Sequence, residues 1–417
     1  MREERTEVLI VGAGPVGLLT AIVLAEAGIE VRVIDREQRT TARSYACALH
    51  SSTLKLLKPM GLAAPLLEQG RRIQTIAFHD HQVRQAEVKL SDLGGEFPFL
   101  VILPQNVLEG VLEQRLRQAG VAVNWNHRFD RLQPEAEAVV ATVEELGATA
   151  TGYIVPHWEA IVKKSFPLRA QFLVGADGHG SLVRERLGIE YVHAAKPALF
   201  AAYEFEPDGP VEDEVRVVLD EATTNVLWPL PGNKYRWTFQ VVKPDGTGEF
   251  PEKERQAARL AQPAVDERIR QYVEKVAKQR APWFSAGVKQ ITWCTEVAFE
   301  QRVAKQFGRE RCWLAGDAAH QTGPVGVQSM NLGMAEGVAL AETLGRILRG
   351  KAPASQLEAC HREWQDEWRR LLGLSGGLQP RKDTSPWVRE RCRRLLPCLP
   401  ASRQDLGRLA GQLALDW

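Results

Sequence analysis

Three short apolar runs along the chain end in glycine-containing turns. They occupy residues 8–11, 172–174 and 312–315, and each is bounded in the way that is typical of a buried strand. After the first and third turns, apolar residues continue over residues 18–27 and 330–344, which predicts helices there. Strands that alternate with helices indicate a domain of the α/β class.

A second pattern occupies the middle of the chain, where aromatic residues are concentrated. Residues 225–230 and 234–241 flank Pro231-Gly232-Asn233, a sequence that is typical of a turn. The pattern predicts a β-hairpin in a largely antiparallel sheet. Because alternate side chains of a strand point to opposite faces, we expect about half of those in the hairpin to face solvent.

The last part of the chain, residues 351–417, has a helical pattern. Four apolar residues fall on one face of a predicted helix: Trp364, Trp368, Leu371 and Leu372. We expect this helix to pack on the rest of the protein. The basic, leucine-rich stretch 389–400 leaves a second interpretation open, weak peripheral association with an anionic membrane, although Pro397 and Pro400 interrupt its amphipathic face.

Composition and charge narrow the possible functions. The chain has 417 residues, of which 44% are hydrophobic, enough for one large and one small core. Its formal net charge of +1 provides no general attraction for nucleic acid. The chain has no apolar run of about eighteen residues and starts with charged residues, so we expect neither a membrane span nor a signal peptide. The six cysteines form no close CxxC pair, which argues against a metal site and favours a reduced, cytoplasmic setting.

The first turn has the residues that a dinucleotide phosphate requires. Gly12-Ala13-Gly14-Pro15-Val16-Gly17 follows the first strand and opens the first helix. The glycines permit a sharp turn and close approach of a pyrophosphate, which the helix N-terminus faces with free N–H groups. The second strand, residues 30–35, ends at Asp35-Arg36, where an acid would bind an adenosine ribose hydroxyl. This order of elements predicts a Rossmann-like site for FAD or NAD.

Two further motifs decide between these cofactors. Asp177-Gly178 follows the second apolar run, and Gly316-Asp317 follows the third and precedes the loop of residues 323–331. With these motifs in this order, residues 5–345 resemble the class A flavoprotein monooxygenases, relatives of para-hydroxybenzoate hydroxylase. The resemblance implies non-covalently bound FAD. It also implies an α/β fold in which a Rossmann-like FAD-binding domain carries an inserted, largely antiparallel substrate-binding sheet.

The resemblance implies roles for particular residues as well. Asp317 would bind a ribityl hydroxyl, Asp177 and Gly178 would support the pyrophosphate, and the backbone of residues 324–331 would follow the flavin ring. The complete set of expected FAD-binding residues is Gly12, Gly14, Pro15, Val16, Gly17, Asp35, Arg36, Arg43, Gln105, Phe129, Asp177, Gly178, Gly316, Asp317, Pro324, Gly326, Val327, Gln328, Ser329, Met330 and Asn331.

Several positions depart from the pattern of this family, among them Ser52, which stands where an arginine is usual. The family's usual Gly-Gly-Gln-Gly-Met-Asn sequence has Val327 and Ser329 here in place of two glycines. The added side chains are expected to shift the flavin. Glu336 stands where an aspartate is usual.

The activity implied by the resemblance is that of a monooxygenase. NADH or NADPH would reduce the flavin as a transient electron donor, and O2 would then form a flavin hydroperoxide that hydroxylates or epoxidises a small substrate. The aromatic-rich hairpin favours an apolar aromatic, quinone-like or otherwise lipophilic compound. Candidate substrate-binding residues are Tyr203, Arg216, Trp228 and Tyr235, with Arg236 beside them. The sequence assigns no catalytic acid or base.

The motifs also divide the chain into domains. We assign residues 1–75, 105–185 and 286–350 to a discontinuous FAD-binding domain and residues 76–104 and 186–285 to a substrate-binding domain. Residues 351–417 form the helical C-terminal segment.

Other functions remain open. The main alternative is an FAD-dependent reductase of an isoprenoid or another lipophilic double bond, which would work without O2. A flavin-dependent halogenase is disfavoured because its Trp-x-Trp-x-Ile-Pro sequence is absent. Gly316-Asp317 argues against a plain NAD-dependent dehydrogenase, and fold analogy alone leaves a flavin-bound sensor open.

Overall fold

The strand Glu4–Val11 lies at the centre of an eight-stranded sheet in the computed structural model, which describes residues 4–39, 48–151, 157–242 and 263–417. Its neighbours Val31–Ile34 and His157–Gly175 both run parallel to it. Val8, Leu9 and Ile10 are fully buried, as expected for a parallel strand that is covered on both faces. The prediction of an α/β fold is confirmed.

The strand register brings the three glycine turns to one edge of this sheet. Val11 is paired with Gly175, and Gly175 is paired with Leu314, so three parallel strands end side by side. The order across the sheet is Gly308–Arg309, Cys312–Leu314, His157–Gly175, Glu4–Val11, Val31–Ile34 and Val123–Asn124. Two antiparallel strands, His127–Pro134 and Val139–Thr151, extend the sheet from His157–Gly175.

Helices pack on the face of the sheet that carries Val8 and Ile10, and further helices follow towards the C-terminus. Those described are Pro15–Glu26, Ser51–Leu57, Ala63–Gln69, Gln105–Gln118, Leu182–Arg186, Pro263–Arg280, Gln328–Leu348, Gln356–Leu371, Pro386–Leu395 and Arg403–Gln412. Short 3-10 turns occupy Lys58–Met60, Leu90–Leu93, Gly316–Ala318 and Leu396–Cys398. A Cβ on Gly337 would lie 2.5 Å from the Thr20 hydroxyl oxygen, so a glycine is needed where Gln328–Leu348 crosses Pro15–Glu26.

A second sheet of seven strands is largely antiparallel, as predicted. Its order is Val288–Phe299, Ala198–Pro207, Lys234–Gln240, Thr224–Leu230, Glu214–Leu219, Thr75–Asp80 and Val83–Lys89. Leu230 pairs with Lys234 across the Pro231-Gly232-Asn233 turn, which confirms the predicted hairpin. Val288–Phe299 also belongs to this sheet, although the sequence-based division assigned residues 286–350 to the FAD-binding domain. The sequence has no motif that marks where the chain passes from one sheet to the other.

Three small sheets complete the strands of the described residues. One joins Ala48–Leu49, Leu100–Ile102 and Arg71–Ile73, and another joins Tyr191–His193, Arg302–Ala304 and His320–Gln321. The pair Gln379–Pro380 and Leu415–Asp416 lies in the C-terminal segment.

The C-terminal helices pack against the rest of the protein. Trp364, Trp368 and Leu371 are buried, as the helical pattern predicted. Leu395, Leu396 and Leu399 are also buried, so they do not form the exposed apolar face that peripheral membrane association would require. The helices of the described residues include none with the length and hydropathy of a membrane span.

Candidate cofactor and substrate site

The glycines of the first turn have different surroundings. Gly12 has a φ of +108°, and a Cβ on it would lie 2.2 Å from the Ala176 carbonyl oxygen. A Cβ on Gly17 would lie 2.0 Å from the Gly12 carbonyl oxygen, whereas one on Gly14 would have no heavy atom within 4 Å. The fold itself therefore requires Gly12 and Gly17. Gly14 borders an open space at the start of the helix Pro15–Glu26, which fits the approach of a pyrophosphate.

Asp35 lies beside this turn. Its carboxylate accepts hydrogen bonds from the backbone N–H groups of Ala13, at 2.7 Å, and Glu37, at 2.8 Å. These bonds hold the carboxylate at the end of the second strand, where it is half-buried. The neighbouring Arg36 is exposed and lies 3.5 Å from the Glu37 carboxylate.

The Asp177 carboxylate shapes its own turn. It accepts hydrogen bonds from the Ser181 hydroxyl, at 2.6 Å, and from the backbone N–H of Leu182, at 2.8 Å. Burial nevertheless raises the pKa of this carboxyl. Gly178 has a φ of +80°, and a Cβ on it would have no heavy atom within 4 Å, so the backbone after Asp177 borders open space.

The carboxylate of Asp317, which follows the strand Cys312–Leu314, is available to accept a hydrogen bond from a ligand. Burial raises the pKa of its carboxyl, and no donor to that carboxylate occurs among the described residues. Its backbone carbonyl accepts a hydrogen bond from the Tyr191 hydroxyl at 3.1 Å. A Cβ on the preceding Gly316 would lie 2.9 Å from a methyl group of Val16, so this turn adjoins the first one. A buried acceptor without a protein donor at this place fits a hydroxyl of a ribityl chain.

Arg184, to which the sequence analysis assigned no role, is hydrogen-bonded to both the Asp177-Gly178 turn and the Gly316-Asp317 turn. Its guanidinium donates to the carbonyls of His179, at 2.9 Å, and Ala318, at 2.8 Å, and lies 3.9 Å from the ring centre of Tyr191. Only its position after the Asp177-Gly178 turn signals such a role. The partner turn is more than a hundred residues away in sequence.

A buried pair also fixes the Gly316 turn. The His320 ring and the Glu336 carboxylate are 2.5 Å apart, and the same carboxylate accepts from the Gly316 N–H at 3.2 Å. The His320 ring stacks on Trp368 with their centres 3.5 Å apart. Glu336, the departure from the usual aspartate, thus joins the helix Gln328–Leu348 to the turn.

The side chain of Asn331 is used to shape the loop of residues 324–331. Its side-chain carbonyl oxygen accepts hydrogen bonds from the backbone N–H of His50 and from the Thr53 hydroxyl, each at 2.8 Å. Its amide group donates to the carbonyls of Ala48, at 2.9 Å, and Val327, at 2.7 Å. Asn331 therefore acts on the loop backbone, which is the part that was expected to follow a flavin ring.

Other loop residues also bond within the protein. The Ser329 hydroxyl accepts from the Thr322 N–H at 2.8 Å, and the Gln328 amide donates to the carbonyls of Leu396 and Leu399. Val327 has a φ of +49°, the left-handed region that a β-branched residue rarely adopts. His50 supports the same loop through a 2.8 Å contact with the Gly326 carbonyl, and burial lowers its pKa to about 4.

Other predicted cofactor residues have their contacts away from the sheet edge where the three glycine turns meet. Gln105 begins the helix Gln105–Gln118 and donates to the Glu109 carboxylate at 2.7 Å. Phe129 is buried in the strand His127–Pro134, opposite Val143. Arg43 lies outside the described residues.

A cleft lies between one face of the second sheet and the loop of residues 324–331. It is partly open to solvent, and its lining is mostly apolar. The described residues that line it are Phe200, Ala202, Trp228, Arg236, Thr238, Trp293, Thr295, Val297, Phe299 and Pro324. Trp228, Arg236 and Pro324 are the predicted residues that the structure brings together here.

Three predicted substrate-binding residues lie on the opposite face of the sheet. Tyr203 and Tyr235 are buried in the cluster that the helix Pro263–Arg280 covers, and Arg216 bonds to Glu214 and lies over Trp283. The alternation of a strand explains this, because Tyr235 adjoins Arg236 and points the other way. The expectation that half of the hairpin faces solvent is wrong, since both faces are covered.

Arg236 is the charged residue among those that line the cleft. It is 4% exposed, its guanidinium bonds to the Glu204 carboxylate, and it lies 5.4 Å from the ring centre of Trp293. It directly faces Trp228 across the hairpin. The cleft thus combines aromatic walls with a buried ion pair.

Comparisons with known proteins agree with this geometry. The sequence profile of a family described as "FAD binding domain" matches residues 5–373. The 6-methylpretetramide 4-monooxygenase of Streptomyces rimosus is 30% identical over 356 residues, 84% of this chain and 58% of that protein. The pentachlorophenol 4-monooxygenase of Sphingobium chlorophenolicum is 26% identical over 373 residues, 88% of this chain and 63% of that protein. The chain therefore spans about three fifths of the length of these relatives.

The fold also matches a solved structure. The crystal structure of p-nitrophenol 4-monooxygenase from Pseudomonas putida superposes with a TM-score of 0.71 at 21% identity. The match covers 98% of this chain and 94% of that one.

Proposed function

The chain belongs to the FAD-binding family of class A flavoprotein monooxygenases, and from this premise we propose that it is an NAD(P)H-dependent monooxygenase of an aromatic or quinone-like substrate. The observation that carries the proposal is the cleft. It is lined both by the aromatic sheet face, with Trp228, and by Pro324, at the start of the loop that is expected to follow the flavin ring.

The described residues fit FAD. The open space at Gly14 would receive the pyrophosphate, Asp35 the adenosine ribose and Asp317 the ribityl chain. The helix Gln328–Leu348 starts at this loop, and its positive end favours negative charge on the pyrimidine side of the ring. Bound FAD would supply both the acceptance of a hydride and the transfer of oxygen.

The cleft residues suit a planar substrate with one polar group. Phe200, Trp228 and Trp293 provide aromatic contact area and exclude water, which a reactive oxygen donor needs. Arg236, held by Glu204, would orient an oxygen atom of the substrate. The two relatives are named as monooxygenases of 6-methylpretetramide and of pentachlorophenol, and pentachlorophenol is a planar aromatic molecule with one polar group.

The test begins with the cofactor. Purified protein is expected to release FAD on denaturation. An Asp317→Ala variant is expected to bind FAD more weakly, by about 1.5–3 kcal/mol, because a charged acceptor is lost. The exposed Asp383→Ala is the matched control. Wild-type FAD affinity in the Asp317 variant would contradict the assignment of this carboxylate.

The reaction is tested by O2 uptake with NADH or NADPH and a panel of phenols and hydroxyquinones. We expect a substrate to accelerate NAD(P)H oxidation and to gain one oxygen atom from O2. Stoichiometric reduction of a substrate double bond without O2 would establish the reductase instead. Bound FAD without any NAD(P)H turnover across the panel would favour a sensor.

A further inference from the structure

A short turn in the C-terminal segment contacts the loop of residues 324–331 directly. The Gly326 N–H donates to the Pro397 carbonyl at 2.8 Å, and the Gln328 amide donates to the carbonyls of Leu396, at 3.2 Å, and Leu399, at 3.0 Å. A Cβ on Gly326 would lie 2.7 Å from the Pro397 carbonyl oxygen. The two backbones are thus as close as a glycine allows.

The helix that precedes this turn is hydrogen-bonded to the second sheet. Arg394, near the end of Pro386–Leu395, donates to the Asp220 carbonyl at 2.5 Å, to the Thr223 carbonyl and to the Thr224 hydroxyl at 3.2 Å. These acceptors lie in the turn that leads into Thr224–Leu230, the strand that carries Trp228. Arg391 adds a bond to the Leu219 carbonyl at 3.3 Å.

The connection between these two contacts is short and buried. Pro397 follows Arg394 after two residues, Leu395 and Leu396, which are 0% and 4% exposed. One rigid piece of chain therefore holds both walls of the cleft, the wall with Trp228 and the wall with Pro324.

The loop conformation needs such support. Val327 lies between the two held residues, Gly326 and Gln328, in the left-handed region. A β-branched residue persists there only when its surroundings impose the conformation. The hydrogen bonds from Gly326 and Gln328 to the carbonyls of residues 396–399 hold both sides of Val327 along the chain.

We propose that Arg394 and the turn Leu396–Cys398 are positioning elements of the FAD site, which set the loop of residues 324–331 at a fixed distance from the Trp228 strand. They lie beyond residue 373, where the family match ends. The effect on FAD binding depends on family membership alone, whereas the importance of the distance to the Trp228 strand rests on the proposed function.

The main test compares Arg394→Ala with Arg393→Ala, an exposed arginine on the same helix. FAD titration of apoprotein, followed by flavin fluorescence, is expected to give a dissociation constant raised on the order of tenfold in Arg394→Ala and unchanged in Arg393→Ala. The visible absorption bands of bound flavin are expected to shift only in Arg394→Ala. Arg394→Lys, which keeps a donor, is expected to restore part of the affinity.

A merely structural role gives a different result. Arg394→Ala would then lower the melting temperature while FAD affinity and the flavin bands stay as in the wild type, and this outcome would overturn the proposal. If Arg394→Ala does not fold, Gly326→Ala forces the turn and the loop apart by a methyl group, and unchanged FAD affinity in that variant overturns it equally. Both readouts remain decisive even if no NAD(P)H turnover is found.

Discussion

Gly17 lies so close beneath Gly12 that a Cβ on Gly17 would be 2.0 Å from the Gly12 carbonyl oxygen. Gly14, between them, has no such neighbour. We therefore expect Gly14→Val to fold with a melting temperature near that of the wild-type apoprotein and to lose FAD, because the side chain fills the space for the phosphates. Gly17→Ala is expected to destabilise the apoprotein itself.

Thermal denaturation of apoprotein and FAD titration separate the two effects. A Gly14→Val protein that is isolated with a full complement of FAD would show that the phosphates do not enter at this turn. A Gly17→Ala apoprotein as stable as the wild type would show that the turn relaxes more easily than its contacts indicate.

The strain at Val327 can be tested by comparing two substitutions, because glycine is expected to be more stable than alanine at this position, the reverse of the order in a helix. The φ of +49° at Val327 costs a non-glycine residue about 1–2 kcal/mol, and the side chain is 8% exposed. Glycine and alanine both lose the buried side chain, but only glycine removes the strain. We expect Val327→Gly to be more stable than Val327→Ala by about 1 kcal/mol, as measured by urea unfolding of the apoprotein.

Val338, buried within the helix Gln328–Leu348, is the matched control. There the usual order holds, and glycine is expected to be less stable than alanine by about 0.5–1 kcal/mol. The same order at both positions would mean that Val327 is not strained.

The sequence was sufficient to predict the edge of the first sheet. Apolar strands that end at Gly12, Gly175 and Gly316 must meet there once they are parallel, and the register confirms that they do. The hairpin was predictable because turn chemistry is local. The same turn fixes Trp228 opposite Arg236 and separates both from Tyr235, so the candidates Trp228 and Tyr235 could not both line one cleft.

The partners of the loop residues could not be predicted. Asn331 bonds to His50, 281 residues away, and Gln328 bonds to carbonyls about 70 residues further along the chain. Backbone carbonyls are present at every residue, so the sequence carries no signal for which of them meet a given amide. Which face of the second sheet faces the cofactor depends in the same way on how the two sheets pack.

His50 predicts a loss of stability in mild acid. Burial lowers its pKa to about 4. Between pH 6.5 and about 4, His50 is therefore protonated in the unfolded chain but neutral in the folded protein. The free energy of unfolding should therefore fall as the pH falls from about 6.5 to about 4, by on the order of 2–3 kcal/mol for this group. The pKa values of His79 and His361 are also lowered to about 4, mainly by burial, so these two groups reduce stability over the same pH interval.

Urea unfolding at pH 7 and pH 5 measures this effect. His50→Gln is expected to lose less stability between the two pH values than the wild type does, while the exposed His81→Gln loses as much. An identical loss in His50→Gln and the wild type would show that His50 is not held neutral by the fold.

Trp228 links the cleft to the efficiency of oxygen transfer. It is 2% exposed, faces Arg236 across the hairpin and lines the cleft with Pro324. Trp228→Ala enlarges the cleft, and a misplacement of the substrate by about 1 Å can reduce the rate of the chemical step on the order of a hundredfold. NAD(P)H oxidation should then continue while the product yield falls and hydrogen peroxide accumulates.

Tyr235→Phe is the control for a change in the same hairpin on the opposite face. It removes only a 2.9 Å hydrogen bond from the Glu212 N–H to the phenol oxygen, on the side covered by the helix Pro263–Arg280. Its ratio of hydrogen peroxide to NAD(P)H is expected to equal that of the wild type, whereas the ratio rises in Trp228→Ala. The reverse result would place the substrate on the Tyr235 side of the sheet and remove the cleft from the reaction, because only one face of a strand can line a given site.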